Sequence, residues 1–349
     1  MSDQPETLDR VLDATLAKAG DEPVQFDVAA GKAALAAALQ TRTPVAAKPK
    51  RVGRWIAAAA AVTVLTGTGL AASTVDLTGT GSGGGPTASA AEQLIKAADL
   101  ADRVTDQPIA PGQYRYVRSR YEGIMVTLGS GEASYSDFVQ EQWIPADRRD
   151  EWMLRNKINS VKWLEGHEGQ GKPDAATAFK DGQEFRGKCG NYSYYAEGQP
   201  DRCTNGTFAN PTPEFVAALP KDPALLLAKL KEEGHAGDSG ALMQAGEALN
   251  SGQYSAEVRA TIFRALALLP GLVVTDGKAN LDGKQGVALG MKYFDDFEEI
   301  IVDPANGDYI GRRETVAEDQ PADKGGLKKG TVRSSSAVTT RIVDAQGGK

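Results

Sequence analysis

Between Trp55 and Val75 the chain runs for 21 residues without a charged side chain, WIAAAAAVTVLTGTGLAASTV, and this stretch constrains the rest more than any other feature. As an α-helix it would be about 31 Å long, against a bilayer hydrocarbon core of about 30 Å. Its flanks differ in charge: Lys48, Lys50, Arg51 and Arg54 precede it and Asp76 follows it. Basic residues are held on the cytoplasmic side of a span. The segment therefore predicts a single-pass membrane helix, with residues 1–54 as a cytoplasmic tail and everything after Val75 outside. Thr63, Thr66, Gly67, Thr68 and Gly69 dilute its apolar character, so a cleaved export signal ending near Ala71-Ala72-Ser73 and a buried soluble helix stay open as alternatives. A cleaved signal has a short charged start, whereas 54 residues precede this run. Length and flanks favour an uncleaved anchor, with the lipid bilayer as its partner.

Most of the chain nevertheless has the make-up of a protein that folds in water, with 41% apolar and 24% charged residues. A net charge of −7 argues against a nucleic-acid partner, which requires a cationic field. In the tail, Leu8, Val11, Leu12 and Leu16 fall on one stripe of a short amphipathic helix. Such a helix suits either docking to a cytoplasmic factor or packing on its neighbour near Val28 to Leu39, and the second needs fewer assumptions. The first histidine is His167 and the first cysteine Cys189, so the tail holds no zinc motif.

Residues 76–90 include the run LTGTGSGGGP, which cannot bury apolar surface and reads as a flexible linker before an extracytoplasmic domain at 91–349. Helical periodicity covers Ala88 to Arg103. Strand patterns follow at Gln113–Tyr121, Val139–Ile144, Glu151–Lys157 and Ser160–Leu164, the last two separated by turn chemistry at Asn159-Ser160. Asp222 and Ser255 are placed to cap two helices, the first starting at Pro223 and the second ending before Pro270-Gly271. Five more strands are predicted at Leu272–Thr275, Gly286–Lys292, Glu298–Val302, Asp308–Val316 and Thr331–Val343. Turns at Asp276-Gly277, Asp282-Gly283 and Asn306-Gly307 separate them. Strands, then helices, then strands, without βαβ alternation, predict an α+β fold with helices on one face of an antiparallel sheet.

Pro111-Gly112-Gln113-Tyr114-Arg115-Tyr116, Glu141-Gln142-Trp143-Ile144-Pro145, the run from Leu219 to Leu226, the run from Ala265 to Gly271, Asp303-Pro304-Ala305-Asn306-Gly307 and Thr339-Thr340-Arg341-Ile342-Val343 follow the basic, Ala-rich span in order. With that arrangement the chain resembles, along most of its length, a family of uncharacterised actinobacterial membrane-anchored proteins. The resemblance implies a fold related to LolA-like and RseB-like domains, a curved antiparallel sheet forming a half-barrel partly closed by helices. It also implies proximity to sigma-factor systems and hence a role in envelope sensing or signalling. It carries no catalytic residues. A sheet of that kind with helices across its mouth can enclose an apolar cavity, so the expected activity is binding, of a hydrophobic ligand or an envelope protein, or carriage of lipid or lipoprotein-type cargo. Tyr116, Trp143, Trp152, Ile262, Phe263 and Leu266 are each equally explained as core.

Chemistry-bearing residues are sparse. Cys189 and Cys203 flank a tyrosine-rich polar segment, and outside the cytoplasm they are expected to form a disulfide. His167 and His235 sit in glycine-rich polar contexts without a partner for proton transfer. Ser130 and Ser239 lack a nucleophile elbow, and Gly81 to Gly85 lacks the lysine that completes a phosphate loop. The acidic run Asp295-Asp296-Phe297-Glu298-Glu299 departs from calcium-loop spacing and reads as a solvated hairpin tip. Metal, cofactor and enzymatic activity are therefore not expected. A C-terminal tag should be found by blotting in the membrane fraction and be removed by protease added to intact cells. A soluble tagged product in the culture medium would instead show that the apolar run is cleaved.

Overall fold

The structure, a computed structural model, describes residues 87–127, 130–173, 180–192 and 201–348. The expected span at Trp55–Val75, its basic flank at Lys48, Lys50, Arg51 and Arg54, and the tail lie outside the described residues. No described helix is long and apolar enough to cross a membrane.

Helix α1 (Ala88–Ala101) begins where the Thr87 hydroxyl accepts the Ala90 N–H, and it buries Leu94, Ala97 and Ala98. Three long strands follow, β1 (Tyr114–Val126), β2 (Ala133–Pro145) and β3 (Glu151–Trp163), then the short β4 (Glu184–Lys188). The helical insert comprises α2 (Pro213–Ala217), α3 (Pro223–Gly234), α4 (Gly237–Asn250) and α5 (Ala256–Leu266). The chain closes with β5 (Val273–Leu281), β6 (Lys284–Tyr293), β7 (Asp296–Val302), β8 (Tyr309–Val316) and β9 (Val332–Val343).

All described strands join one nine-stranded sheet in the order β4-β3-β2-β1-β9-β8-β7-β6-β5. Every pairing is antiparallel, and the sheet is open, with β4 and β5 as its edges. The α+β class and the antiparallel sheet are thus as expected. The predicted caps also hold: the Asp222 carboxylate accepts the Ala224 and Leu225 N–H groups, and the Ser255 hydroxyl accepts that of Val258.

Three local expectations are corrected. The predicted break at Asn159-Ser160 is a bulge within continuous β3, where Asn159 is the extra residue and its amide donates to the Asp137 carboxylate. Asp276-Gly277 is likewise a register shift inside β5 rather than its end. Helix α4 lies between the two helices expected from their caps, where no helix was predicted. Glycine lowers helix propensity, but here it lets two helices touch: a Cβ on Gly240 would lie 2.5 Å from the Gly234 carbonyl oxygen. His235 takes the left-handed conformation that ends α3, with φ 52°, so its place is set by backbone rather than by chemistry.

The helices cover one face of the sheet. Val117, Ile144, Trp152, Leu154, Leu289, Ile300, Val302 and Val338 point to that face and pack with Leu226, Leu230, Leu242, Leu249, Ile262, Phe263 and Leu266. Burying each such side chain contributes about 1.5–3 kcal/mol. The expected apolar cavity between sheet and helices is therefore filled, and Trp152, Ile262, Phe263 and Leu266 are core.

Cys189 and Cys203 lie at bonding distance, with sulfurs 2.01 Å apart and a sequence separation of 14. The bridge holds the segment after β4 against the turn before β3, where the Cys189 N–H donates to Asp150. Replacing both cysteines with serine is expected to cost about 3 kcal/mol by loss of loop restriction, measurable as a lowered urea midpoint of the variant relative to the oxidised protein.

Candidate functional site

The face away from the helices carries the candidate site. Strand alternation places Tyr116, Arg118, Arg120, Glu122 and Ile124 there from β1, opposite Val117 on the helical side. Near the β4 edge this face is aromatic and closed. Tyr116 and Trp143 pack with ring centroids 5.2 Å apart, and Arg341 and Arg155 lie over their respective rings at 4.8 and 5.0 Å. The Tyr116 hydroxyl donates to Glu141 at 2.5 Å, and the Trp143 indole N–H donates to the Gly348 carbonyl. The C-terminal residues thus cross over Trp143, and both aromatics are core, as each was read individually.

Towards the other edge the sheet bends. The β5–β6 hairpin turns at Asp282 and Gly283, with φ of 50° and 79° and Leu281 paired to Lys284, the two-residue turn expected from the Asp-Gly sequence. Its tip reaches β1: Asp282 accepts from Arg118 at 2.7 Å and from Arg120 at 3.0 Å. Strands β7, β8 and β9 lie between β6 and β1, so a flat sheet would hold those two strands about 19 Å apart. Only a strong curl brings the hairpin tip across. Leu281 fills the inside of the curl with Ala279, Ala288, Ile301, Ile310 and Ala337.

Beneath this clasp lies a cleft of about 360 Å³, lined among others by Arg120, Glu122, Ile124, Tyr135, Leu281 and Arg313. Its polar groups are bound to one another. Arg120 holds Asp137 at 3.0 Å and Glu122 at 3.2 Å as well as Asp282, and its guanidinium pKa is raised, chiefly by the Asp137 hydrogen bond. Burial opposes ionisation of Asp282, yet the two guanidiniums outweigh it and hold its carboxyl below the usual range. Arg313 donates to Glu299 at 2.7 Å and to Asp276 at 3.2 Å, and Glu299 also accepts from Thr315 at 2.6 Å and from Thr275. The cleft is thus a preorganised polar surface with an apolar strip at Ile124, Leu281 and Val332.

The acidic run from Asp295 to Glu299 proves not to be a solvated tip. The tip is Phe294 and Asp295, because Tyr293 pairs with Asp296, while Glu298 and Glu299 are buried in β7. The tip reading failed because alternation sends Glu299 to the Arg313 cluster and Glu298 to the helical side. There Glu298 stands opposite Glu314 of β8. Burial first, and the Glu314 charge second, raise the Glu298 carboxyl to about 7. His167 accepts a lesser role, bonding the Gly131 carbonyl through Nδ1 at 2.9 Å. The cleft residues themselves went unnoticed in the sequence; the alternating Arg118 and Arg120 within the basic, tyrosine-rich β1 were the signal.

Comparison with protein-family models, with curated proteins and with solved structures finds no match to this chain.

Glu298 generates a pH prediction. A carboxyl whose folded pKa lies above its unfolded value makes folding take up a proton, so stability is fully present below the unfolded value and falls as pH rises through the folded one. Stability should decline between about pH 4.5 and pH 7. Glu298→Gln should raise the melting temperature above pH 8 and leave it nearly unmoved below pH 4.5, as followed by circular dichroism.

Proposed function

We propose that this chain is a membrane-anchored extracytoplasmic binding and sensor module, in which the cleft beneath the β5–β6 hairpin receives a ligand and the hairpin responds to its occupancy. The observation that carries the reading is the Asp282 clasp. A ligand in the cleft competes directly with the Asp282–Arg118 and Asp282–Arg120 pairs, and partly exposed pairs of this kind contribute about 1 kcal/mol or less each. Their release is therefore within reach of modest binding energy. The apolar run at Trp55–Val75 would tether the module, and the open, curled sheet is compatible with the LolA-like half-barrel that the motifs suggest.

Placing the module outside the cytoplasm rests on the basic flank before that run, and the Cys189–Cys203 bridge agrees with an oxidising compartment. Modulation of a sigma-factor system would follow if hairpin release altered a protein contact across the envelope. Carriage of lipid or lipoprotein-type cargo is the second reading, favoured by the apolar strip Ile124, Leu281 and Val332 in the same cleft.

Native mass spectrometry of the full-length chain, released from detergent after purification, tests both readings. Binding predicts a retained mass that Ile124→Trp, which fills the cleft from a half-buried position, removes. A phospholipid mass selects the carrier, and a smaller polar adduct the sensor. Identical spectra for the wild type and Ile124→Trp would remove the cleft as the binding site.

A further inference from the structure

On the opposite side of the sheet from the cleft, where β1 begins and β2 ends, three arginines converge on the loop between α4 and α5. Arg115 comes from the first turn of the β1 ladder, Arg148 from the β2–β3 connection and Arg259 from α5. Arg115 donates to the Gly252 carbonyl at 3.4 Å and Arg259 to the Tyr254 carbonyl at 2.9 Å. Arg148 donates to the neutral Gln253 amide oxygen and lies 5.6 Å from the Trp152 ring centroid, whose indole N–H is bonded to the Arg148 carbonyl. These contacts orient three guanidiniums without neutralising them.

The carboxylate supply is short. Asp106 is the acid that acts on Arg115, and it stands 3.9 Å from Arg259 while its other oxygen accepts the Ala256 N–H at 2.7 Å. Among the charges acting on Arg148 the largest is the like charge of Arg115, and no carboxylate is among them. Among the described residues, three guanidiniums and one carboxylate leave a surplus of two positive charges, in a chain whose net charge is −7. Burial and mutual repulsion lower Arg148 to about 10 and lower Arg115 as well, whereas Arg120, Arg264, Arg312 and Arg313 are all raised by acidic partners. An under-compensated cation away from bulk water is costly unless an anion accompanies it. All three side chains remain partly exposed, so an anion from solution can reach them.

We propose that Arg115, Arg148 and Arg259 form a binding site for a phosphate dianion. The surplus of two charges matches a phosphate monoester or free phosphate, which carries about −1.5 to −2 near neutral pH, and planar guanidinium forks suit its oxygens. The loop from Gly252 to Tyr254 holds the forks in place by two backbone carbonyls and the Gln253 side chain, so the site is formed before the anion arrives. The same chemistry can be presented by inorganic phosphate or by a phosphomonoester lipid headgroup. The site is separate from the cleft and does not depend on how the cleft functions.

The test is thermal unfolding of the full-length chain in neutral detergent. It is run with inorganic phosphate, with dihexanoyl phosphatidic acid below its micellar concentration, and with sodium chloride at matched ionic strength. A midpoint that rises with one or both phosphates beyond the chloride control is expected, because a ligand bound only to the folded state raises it. A rise with inorganic phosphate identifies a free anion, and a rise with phosphatidic acid alone identifies a headgroup. Arg148→Gln and Arg259→Gln should each weaken the apparent affinity by about tenfold or more, the consequence of losing a charged hydrogen bond. Asp282→Asn, in the distant clasp, should leave the phosphate response intact. Without phosphate, Arg148→Gln should not lower the midpoint, since it removes a repelled cation. If that variant does not fold, Arg259→Gln and the charge-retaining Arg148→Lys carry the comparison. No rise beyond chloride with either phosphate, or an undiminished rise in the arginine variants, overturns the site.

Discussion

The pairing of β1 with β9 is the constraint from which the rest of the described structure follows. Tyr114 faces Val343 and Gly123 faces Ser334, so the first strand of the domain is zipped to the last. Each side of that ladder is a local meander, β1 to β4 and β5 to β9, that neighbouring residues in sequence can assemble unaided. Joining them requires closing a loop of more than two hundred residues, a cost that grows only logarithmically with loop length. The ladder then yields one wide sheet with enough area on a single face to cover α1, α3, α4 and α5.

The two faces use different physics because alternation along each strand separates their side chains. On the helical face, burial of Leu, Ile and Phe dominates, and charged groups are exceptions that carry a cost, as Glu298 shows opposite Glu314. On the other face the sheet curls tightly, Leu281 fills the inner bend, and the remaining space is bounded by linked ion pairs. Those pairs are individually weak because they are partly solvated, but Asp282 engages two arginines at once. The hairpin is therefore held by interactions that a competing polar ligand can replace, while the apolar core beneath is left undisturbed.

Much of the architecture was legible because it is encoded locally. Asp222 followed by Pro223, Ser255 before an apolar stripe, and Asp282-Gly283 between two strand patterns each specify a backbone geometry through their own side chains, and each appears where expected. Helix α4 was hidden because Gly240 and Gly246 lower its propensity, and its formation depends on close packing against α3. The bulges at Asn159 and Asp276 were hidden too: turn-forming residues tolerate a bulge as well as a chain reversal, and only the partner strand selects between them. The cleft was legible only in the alternating Arg118 and Arg120 of β1, since Arg120, Asp137, Asp282 and Arg313 are brought together from three strands and a turn.

The sequence alone determined the uncharged run at Trp55–Val75 with its basic flank, the caps and tight turns, and the alternation that makes an α+β domain with one covered face, because each depends on residues within a few positions of one another. Tertiary structure alone decided that the space under the helices is filled, that the cleft is polar and lies on the other side, that Glu298 and Glu299 are interior, and that Arg115, Arg148 and Arg259 converge on the loop between α4 and α5. Those outcomes depend on which distant strands become neighbours and on how sharply the sheet bends, and no local pattern carries that information.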